Sequence, residues 1–148
     1  MITGYVPGVW DMFHVGHLNV IRAARLHCDR LVVGVVTDEV VTRVKNKTPV
    51  VPFAERVDIV ASIRFVDDVV ADPHADKFEM WPVVGYDVLF KGDDWKGTEK
   101  GRLLEEKLAT VGARMHYFPY TEHTSSTLLR EVLMDMRQPG EAASEPAS

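Results

Sequence analysis

Two histidines on a short turn are the first residues of this chain whose type and spacing point to chemistry. His14 and His17 lie three positions apart and follow an apolar segment that begins at Ile2. Imidazoles and free backbone N–H groups at a helix start can donate hydrogen bonds to a phosphate. Gly8 and Gly16 would let a ligand approach the backbone closely. Taken alone, the pair is equally typical of an ordinary turn or of half a metal site.

A run of hydroxyl side chains near the C-terminus is a second candidate phosphate site. Thr124, Ser125, Ser126 and Thr127 precede a helix that the apolar spacing predicts from residue 128 to 136. Hydroxyls and free N–H groups at a helix start can cradle an anion, and Arg130 would add positive charge one turn later. A helix cap needs only one such residue, so four in a row favour phosphate binding over capping alone.

Alternating strand and helix patterns indicate how these residues are positioned. The segments between the apolar runs have helical spacing, with helices predicted over 18–26, 53–63, 103–111 and 128–136. A parallel sheet buried on both faces fits this alternation, and such sheets bind ligands at the carboxyl ends of their strands. The predicted strands are Ile2–Val6, Leu31–Val36, Val66–Val70, Val88–Phe90 and Met115–Phe118.

Composition limits the class of protein. With 148 residues, of which 46% are hydrophobic, the chain fits one domain, predicted over 1–137, followed by a disordered tail over 138–148. The net charge of −5 disfavours nucleic acid as a partner. The single cysteine, Cys28, excludes an intrachain disulfide and fits a cytoplasmic location. The sequence contains no run of 18 apolar residues, so no membrane span is predicted.

The order of the motifs resembles that of the glycerol-3-phosphate cytidylyltransferases, a family within the cytidylyltransferase superfamily that carries the HxGH signature. The resemblance extends from Ile2 to Leu133 and implies a Rossmann-like three-layer α/β/α domain with a central parallel sheet. The matching segments are Asp11–His17, Leu31–Glu39, Lys45–Lys47, Glu55–Arg56, Arg64–Asp67 and Gly92–Trp95.

The resemblance also implies roles for individual residues. His14, His17 and Lys47 would be catalytic, with Lys45 the second choice for the phosphate-contacting lysine, although a solvated basic loop is the plainer interpretation of these lysines. The residues implied to bind the nucleotide are Gly8, Val9, Trp10, Asp11, Gly16, Gly92, Asp94, Trp95, Thr124, Ser125, Ser126, Thr127 and Arg130. Those implied to bind the acceptor are Lys45, Arg56, Arg64 and Tyr120.

Two of the acceptor candidates have an alternative role. The guanidinium groups of Arg56 and Arg64 can each make a bidentate contact with a phosphate. Alternatively, they can pair with Asp58 or Asp67 at the polar edge of a helix that faces the core. The sequence leaves both interpretations open.

The last motif departs from the family pattern. This chain has Tyr120 where the glycerol-phosphate enzymes have an arginine, and His123-Thr124 where they have Gly-Ile. Related nucleotidyltransferases carry an arginine at the position of Arg130 instead. The departure leaves phosphate binding in place and weakens the assignment to the glycerol-phosphate enzymes.

The sequence therefore predicts a nucleotidyltransferase that joins CTP to a small alcohol phosphate, with glycerol 3-phosphate as the first acceptor. Mg²⁺ is expected to enter with the nucleotide and not through protein ligands alone. The resemblance also implies a homodimer. The alternatives are ATP as donor, an acceptor such as ethanolamine phosphate, a sugar phosphate or a flavin phosphate, or a nucleotide-binding module without catalysis.

Overall fold

The computed structural model describes residues 1–119 and 126–143, with the side chains of the last helix described from 128 to 136. Its strands are β1 (Thr3–Gly8), β2 (Arg30–Val36), β3 (Asp68–Asp72), β4 (Val88–Gly92) and β5 (Arg114–Phe118). Its α-helices are α1 (Val15–Arg25), α2 (Asp38–Lys45), α3 (Phe53–Ala61), α4 (Trp81–Val84), α5 (Glu99–Ala109) and α6 (Ser126–Ala143). Short 3₁₀ turns cover Lys77–Met80 and Asp93–Trp95.

The five strands form one sheet in the order β3-β2-β1-β4-β5, and all the pairings are parallel. The chain moves outward in one direction from β1 to β3 and then returns to add β4 on the other side of β1. In sheets of this kind the reversal opens a crevice at the carboxyl ends of the two strands that flank it. The topology therefore places a ligand site above β1 and β4.

Apolar side chains pack on both faces of the sheet and so form two cores. The first core joins Ile21 of α1 and Val60 of α3 to strand residues such as Val33 and Phe90. The second joins Leu104 and Leu108 of α5 to the opposite faces of the same strands, including Tyr5 and Leu89. The Rossmann-like three-layer α/β/α arrangement predicted from the sequence is thus confirmed.

Helix α2 is the main element that periodicity does not reveal. Thr37 caps it, Asp38 and Glu39 occupy its first turn, and Asn46 ends it with a left-handed φ of 57°. The helix has only eight residues, of which Val40 and Val41 are buried, so it is too short for a repeated apolar pattern to stand out in the sequence. The lysine segment thus begins on a helix and not on the solvated loop that the charge pattern suggested.

Other boundaries move by smaller amounts. β3 begins at Asp68, and α5 begins at Glu99 with Thr98 as its N-cap, four residues before the predicted start of that helix. α6 continues to Ala143, past the end of the predicted helix, and the division between a domain and a tail at residue 138 stays a prediction. Within the described ranges, no helix combines the length and the apolar character that a membrane span needs.

A close contact in the middle of β2 fixes how the second core packs. A Cβ at Gly34 would lie 2.0 Å from the hydroxyl oxygen of Tyr5, which donates a 2.7 Å hydrogen bond to buried Asp72. Tyr5 also stacks on Tyr86 with ring centroids 5.3 Å apart. The missing side chain at Gly34 therefore makes room for a buried tyrosine that links β1 to β3.

Gly34→Ala should destabilise the fold by about 1–3 kcal/mol, because the new methyl group forces the tyrosine ring to move in a packed core. Urea unfolding followed by circular dichroism measures this. In a Tyr5→Leu background the same substitution should cost clearly less, since leucine vacates the space. Equal costs in the two backgrounds would show that the contact does not constrain the core.

Candidate active site

A cavity of about 380 Å³ lies at the carboxyl ends of β1 and β4, where the topology places a ligand. It brings together residues that are distant in the sequence, from the turn after β1 to the last helix. The predicted site residues that line it are Gly8, Val9, Trp10, Asp11, His14, Gly16, His17, Lys45, Lys47, Gly92 and Arg130.

The two histidines are held by the start of α1. His14 is the N-cap, and its Nδ1 accepts a 3.0 Å hydrogen bond from the N–H of Gly16. The Nδ1 of His17 accepts in turn from the N–H of His14 at 3.3 Å. The two rings stack with their centroids 3.9 Å apart. Both imidazoles are therefore fixed side by side at the positive end of a helix.

These hydrogen bonds determine which ring nitrogen carries the proton. Because both Nδ1 atoms accept, each neutral ring carries its hydrogen on Nε2. Burial and the neighbouring His14 lower the pKa of His17 to about 4, although Asp11 opposes the shift, and burial also lowers the pKa of His14. The Nε2 of His14 is buried and has no hydrogen-bond partner in the described part of the chain. The site thus offers neutral N–H donors at neutral pH.

The turn that carries the histidines has an unusual backbone. Trp10 and Met12 have φ values of 58° and 49°, a region that bulky residues rarely occupy. Trp10 is nevertheless buried, and its indole N–H donates to the carbonyl oxygen of Gly34 at 2.9 Å. Such strain persists where the surrounding structure holds it, and it is common at ligand sites.

Asp11 joins three segments around the cavity. Its two carboxylate oxygens accept hydrogen bonds from the backbone N–H groups of Val50 and Val51, at 2.9 and 2.8 Å. Arg130 of α6 pairs with the same carboxylate at 3.2 Å and donates to the carbonyl oxygen of Thr48 at 3.1 Å. The aspartate therefore fixes the loop before α3 and the first turns of α6 against the histidine turn.

Positive charge enters the cavity from α2 and from the loop that follows it. Lys45 ends α2 and Lys47 follows two residues later, and both line the cavity. Desolvation and the nearby ammonium groups of Lys47 and Lys77 lower the pKa of Lys45, while Asp94 acts in the opposite direction. Neutral imidazole donors, ammonium groups and a guanidinium in one cavity form an arrangement suited to a polyanion such as a triphosphate.

Comparison with known sequences identifies the family. The sequence profile of the cytidylyltransferase-like proteins matches residues 5–132, which contain every part of the cavity described above. The chain belongs to the cytidylyltransferase-like family.

The relatives of this cytidylyltransferase-like chain include two whose names are those of enzymes. It is 35% identical over 111 residues to an FAD synthase from Pyrococcus abyssi, covering 74% of each chain. It is 40% identical over 95 residues to an ethanolamine-phosphate cytidylyltransferase from Arabidopsis thaliana, covering 61% of this chain and 22% of the relative. The chain spans about a fifth of the length of several of the curated relatives it matches.

A solved structure shares the fold of this chain. A lipopolysaccharide core biosynthesis protein from Thermoplasma volcanium superimposes with a TM-score of 0.69, covering 84% of this chain and 99% of that one at 24% identity. At this identity the likeness describes the fold alone.

Arg56 is the clearest difference between the sequence-based assignment and the structure. Its side chain is fully buried and does not line the cavity. Its guanidinium donates to the carbonyl oxygens of Val51, Val9 and Val36 at 2.7–2.9 Å and pairs with Asp38. The donors that a phosphate would need are therefore engaged inside the protein, and the ion-pair partner is neither Asp58 nor Asp67.

Several other predicted residues lie beside the cavity or outside the described residues. Arg64 is exposed and lies over the ring of Phe65 at 5.9 Å. Asp94 and Trp95 follow the cavity-lining Gly92 without lining the cavity themselves. Tyr120, Thr124 and Ser125 are outside the described residues, as are the side chains of Ser126 and Thr127 at the start of α6.

Lys91 is the main cavity residue that the sequence analysis missed. It lines the cavity from β4, immediately before Gly92. Its position at the carboxyl end of an apolar strand was a usable signal, because that edge of a parallel sheet carries ligands. Other apolar residues of the wall, such as Val41 and Pro49, carry no such signal in the sequence.

Arg56→Met should cost about 3–5 kcal/mol of folding stability, because it leaves buried carbonyl oxygens and Asp38 without their donor. Urea denaturation of the purified variants measures the loss. Arg64→Met is the matched control and should change stability by no more than about 0.5 kcal/mol, since its side chain is exposed. A fully stable Arg56→Met protein would contradict the structural role of this guanidinium and favour a role in ligand binding.

The histidine turn should make stability depend on pH. Because the pKa of His17 falls from 6.5 to about 4 on folding, the unfolded chain binds more protons between these values. This contribution to stability is therefore complete above about pH 6.5 and is lost as the pH falls towards 4. In His17→Gln the side chain can still accept from the N–H of His14 but does not titrate. Between pH 4 and 7 the free energy of unfolding should change less with pH in the variant than in the wild type. The same pH dependence in both proteins would contradict the assignment.

Proposed function

We propose that this protein is a nucleotidyltransferase that transfers a nucleoside monophosphate from a nucleoside triphosphate to a phosphorylated small molecule, with release of pyrophosphate. The finer form of the proposal has CTP as donor and a small alcohol phosphate as acceptor, glycerol 3-phosphate being the first to test. Family membership supports the reaction class. The choice of substrates rests on the resemblance of the motifs.

The observation that carries the proposal is the buried Nε2 of His14, which has no partner among the described residues. A buried N–H donor without an acceptor is costly, and it is tolerated where a ligand supplies the acceptor. Its ring is fixed by the helix cap, stacked on His17 and part of the cavity wall. A phosphate oxygen provides the acceptor that this geometry lacks.

The proposed reaction needs no protein nucleophile. An oxygen of the acceptor phosphate attacks the α-phosphorus, a new P–O bond forms, and the bond to the β-phosphate bridging oxygen breaks as pyrophosphate departs. Negative charge then increases on the leaving group. The Nε2 donors of His14 and His17, together with Lys47 and Arg130, are the groups proposed to stabilise that charge.

Mg²⁺ is proposed to accompany the triphosphate. Among the described residues, no group of three or more His, Cys, Asp or Glu side chains could hold a metal ion. Asp11, the carboxylate in the cavity wall, already accepts from two backbone N–H groups and pairs with Arg130. These side chains fit an ion that is bound mainly by substrate phosphates and water, where it would neutralise phosphate charge.

The names of the relatives leave the substrate pair open. One relative is named for ethanolamine phosphate and cytidylyl transfer, and another for FAD synthesis. Pyrophosphate release should therefore be measured with Mg²⁺, crossing CTP and ATP with glycerol 3-phosphate, ethanolamine phosphate, a sugar phosphate and FMN. Release with CTP and one alcohol phosphate would establish the finer proposal. Release with ATP alone would retain the reaction class and replace the donor, and no release from folded protein would refute the proposal.

Assembly and location are part of the proposal as well. We place the protein in the cytoplasm, which fits its single free cysteine. The homodimer is proposed from the resemblance. Light scattering at micromolar concentration gives the mass directly, and a monomer would reject the dimer.

Replacing His14 tests its role in catalysis. His14→Asn should lower turnover by about a hundred- to a thousand-fold, because asparagine can cap α1 but its shorter side chain cannot place a donor at the Nε2 position. Single-turnover pyrophosphate release with the substrates found above gives the rate. His27→Asn, at an exposed imidazole that does not line the cavity, is the control and should retain full turnover. Equal rates for both variants would remove His14 from the mechanism.

A further inference from the structure

The cavity crosses the edge of the sheet, so its wall has a part on each face. The histidines lie at the start of α1, which packs on the first core together with Phe90. Side chains alternate along a strand, so Lys91, the residue after Phe90, projects to the opposite face. Trp95 packs on the second core of that face, and Lys91 contacts it. The cavity therefore has a histidine side and a lysine side.

The position of the Lys91 ammonium is fixed by an aromatic ring. Its Nζ lies 4.0 Å from the centroid of Trp95, a cation–π distance at which the ring face attracts the charge. Lys100 lies over the same ring at 5.9 Å but does not line the cavity. The tryptophan thus supports one cationic side chain that lines the cavity and one that does not.

The lysine side of the cavity carries more positive than negative charge. Lys91 makes no salt bridge within the described residues, whereas Lys77 nearby is paired with buried Asp72 at 3.2 Å. Burial and the ammonium groups of Lys77, Lys45 and Lys100 lower the pKa of Lys91 to about 8, against the opposing effect of Asp94. A half-buried ammonium repelled by three others is a site that gains stability when an anion binds.

We propose that Lys91, held on the face of Trp95, binds the phosphate of the acceptor. This inference rests on the proposed function and adds a subsite to it. The histidine side then contacts the triphosphate, and the lysine side, with Lys45, contacts the second anionic substrate. Trp95 is a positioning residue in this scheme, because it acts through the ammonium that it supports.

The test uses inorganic phosphate as the probe of the acceptor subsite. Calorimetric titration of the full chain, first with CTP or ATP and then with phosphate in the presence of the bound nucleotide, separates the two subsites without requiring turnover. Lys91→Met should weaken phosphate binding by at least about tenfold and change nucleotide affinity by less than about twofold. Lys91→Arg should retain most of the phosphate affinity, because a guanidinium stacks on tryptophan and binds phosphate as well. Lys100→Met is the matched control and should leave both affinities unchanged.

The result can be separated from that of the proposed function. If Lys91→Met weakens nucleotide binding instead, or if the nucleotide-bound wild type binds no phosphate, the subsite is wrong even where pyrophosphate release is observed. If no substrate pair turns over but phosphate binding depends on Lys91, the proposed subsite is supported and the proposed reaction is refuted.

With active substrates, Lys91→Met should raise the acceptor KM while kcat and the nucleotide KM stay constant. Thermal unfolding checks that each variant is folded. If Lys91→Met does not fold, Trp95→Leu should cause the same loss of phosphate affinity.

Discussion

A guanidinium that is fully removed from water organises the ligand-binding edge of this domain. Moving a cation into the protein interior costs several kcal/mol unless hydrogen bonds and an opposite charge replace its hydration. Arg56 obtains both, from three carbonyl oxygens and from the carboxylate of Asp38. The carbonyls belong to Val9 after β1, Val36 at the end of β2 and Val51 before α3. One side chain therefore sets the spacing of three chain segments around the cavity.

The effect of that spacing reaches the cavity through Asp11. Arg56 binds the carbonyl of Val51, and the N–H groups of Val50 and Val51 in the same loop donate to the Asp11 carboxylate. That carboxylate in turn pairs with Arg130 of α6, 119 positions away in the chain. A buried structural cation and a cavity-lining cation are thus connected by one loop and one carboxylate. A change at the first would be expected to disturb the second without contacting any ligand.

The sequence indicated the type of site better than the position of each side chain. The apolar runs predicted the five strands of the parallel sheet, and His14, Gly16 and His17 lie in the cavity near the carboxyl end of the first strand, as expected. The sequence left the role of Arg56 open and did not identify Lys91, because spacing along the chain does not show whether a charged side chain points into the protein or into a cavity. Arg56 lies on a helix that faces the core, where tertiary contacts alone engage its guanidinium. Lys91 lies near the carboxyl end of an apolar strand, and its side chain projects to the opposite face from that of Phe90.

Desolvation affects the two sides of the cavity differently, and this difference bears on the chemistry. It lowers the pKa of His17 to about 4, so that ring is neutral at pH 7, whereas Lys91, with a pKa of about 8, is still mostly protonated there. The histidine side therefore acts through oriented N–H dipoles and the lysine side through net charge. Oriented dipoles stabilise charge that develops in a transition state, and net charge attracts an anion from a distance. In a chain whose overall charge is −5, such attraction has to come from a local cluster. On the proposed function, the reversal of strand order between β1 and β4 lets one small domain bring the groups that contact the triphosphate and those that contact the acceptor phosphate together in one cavity.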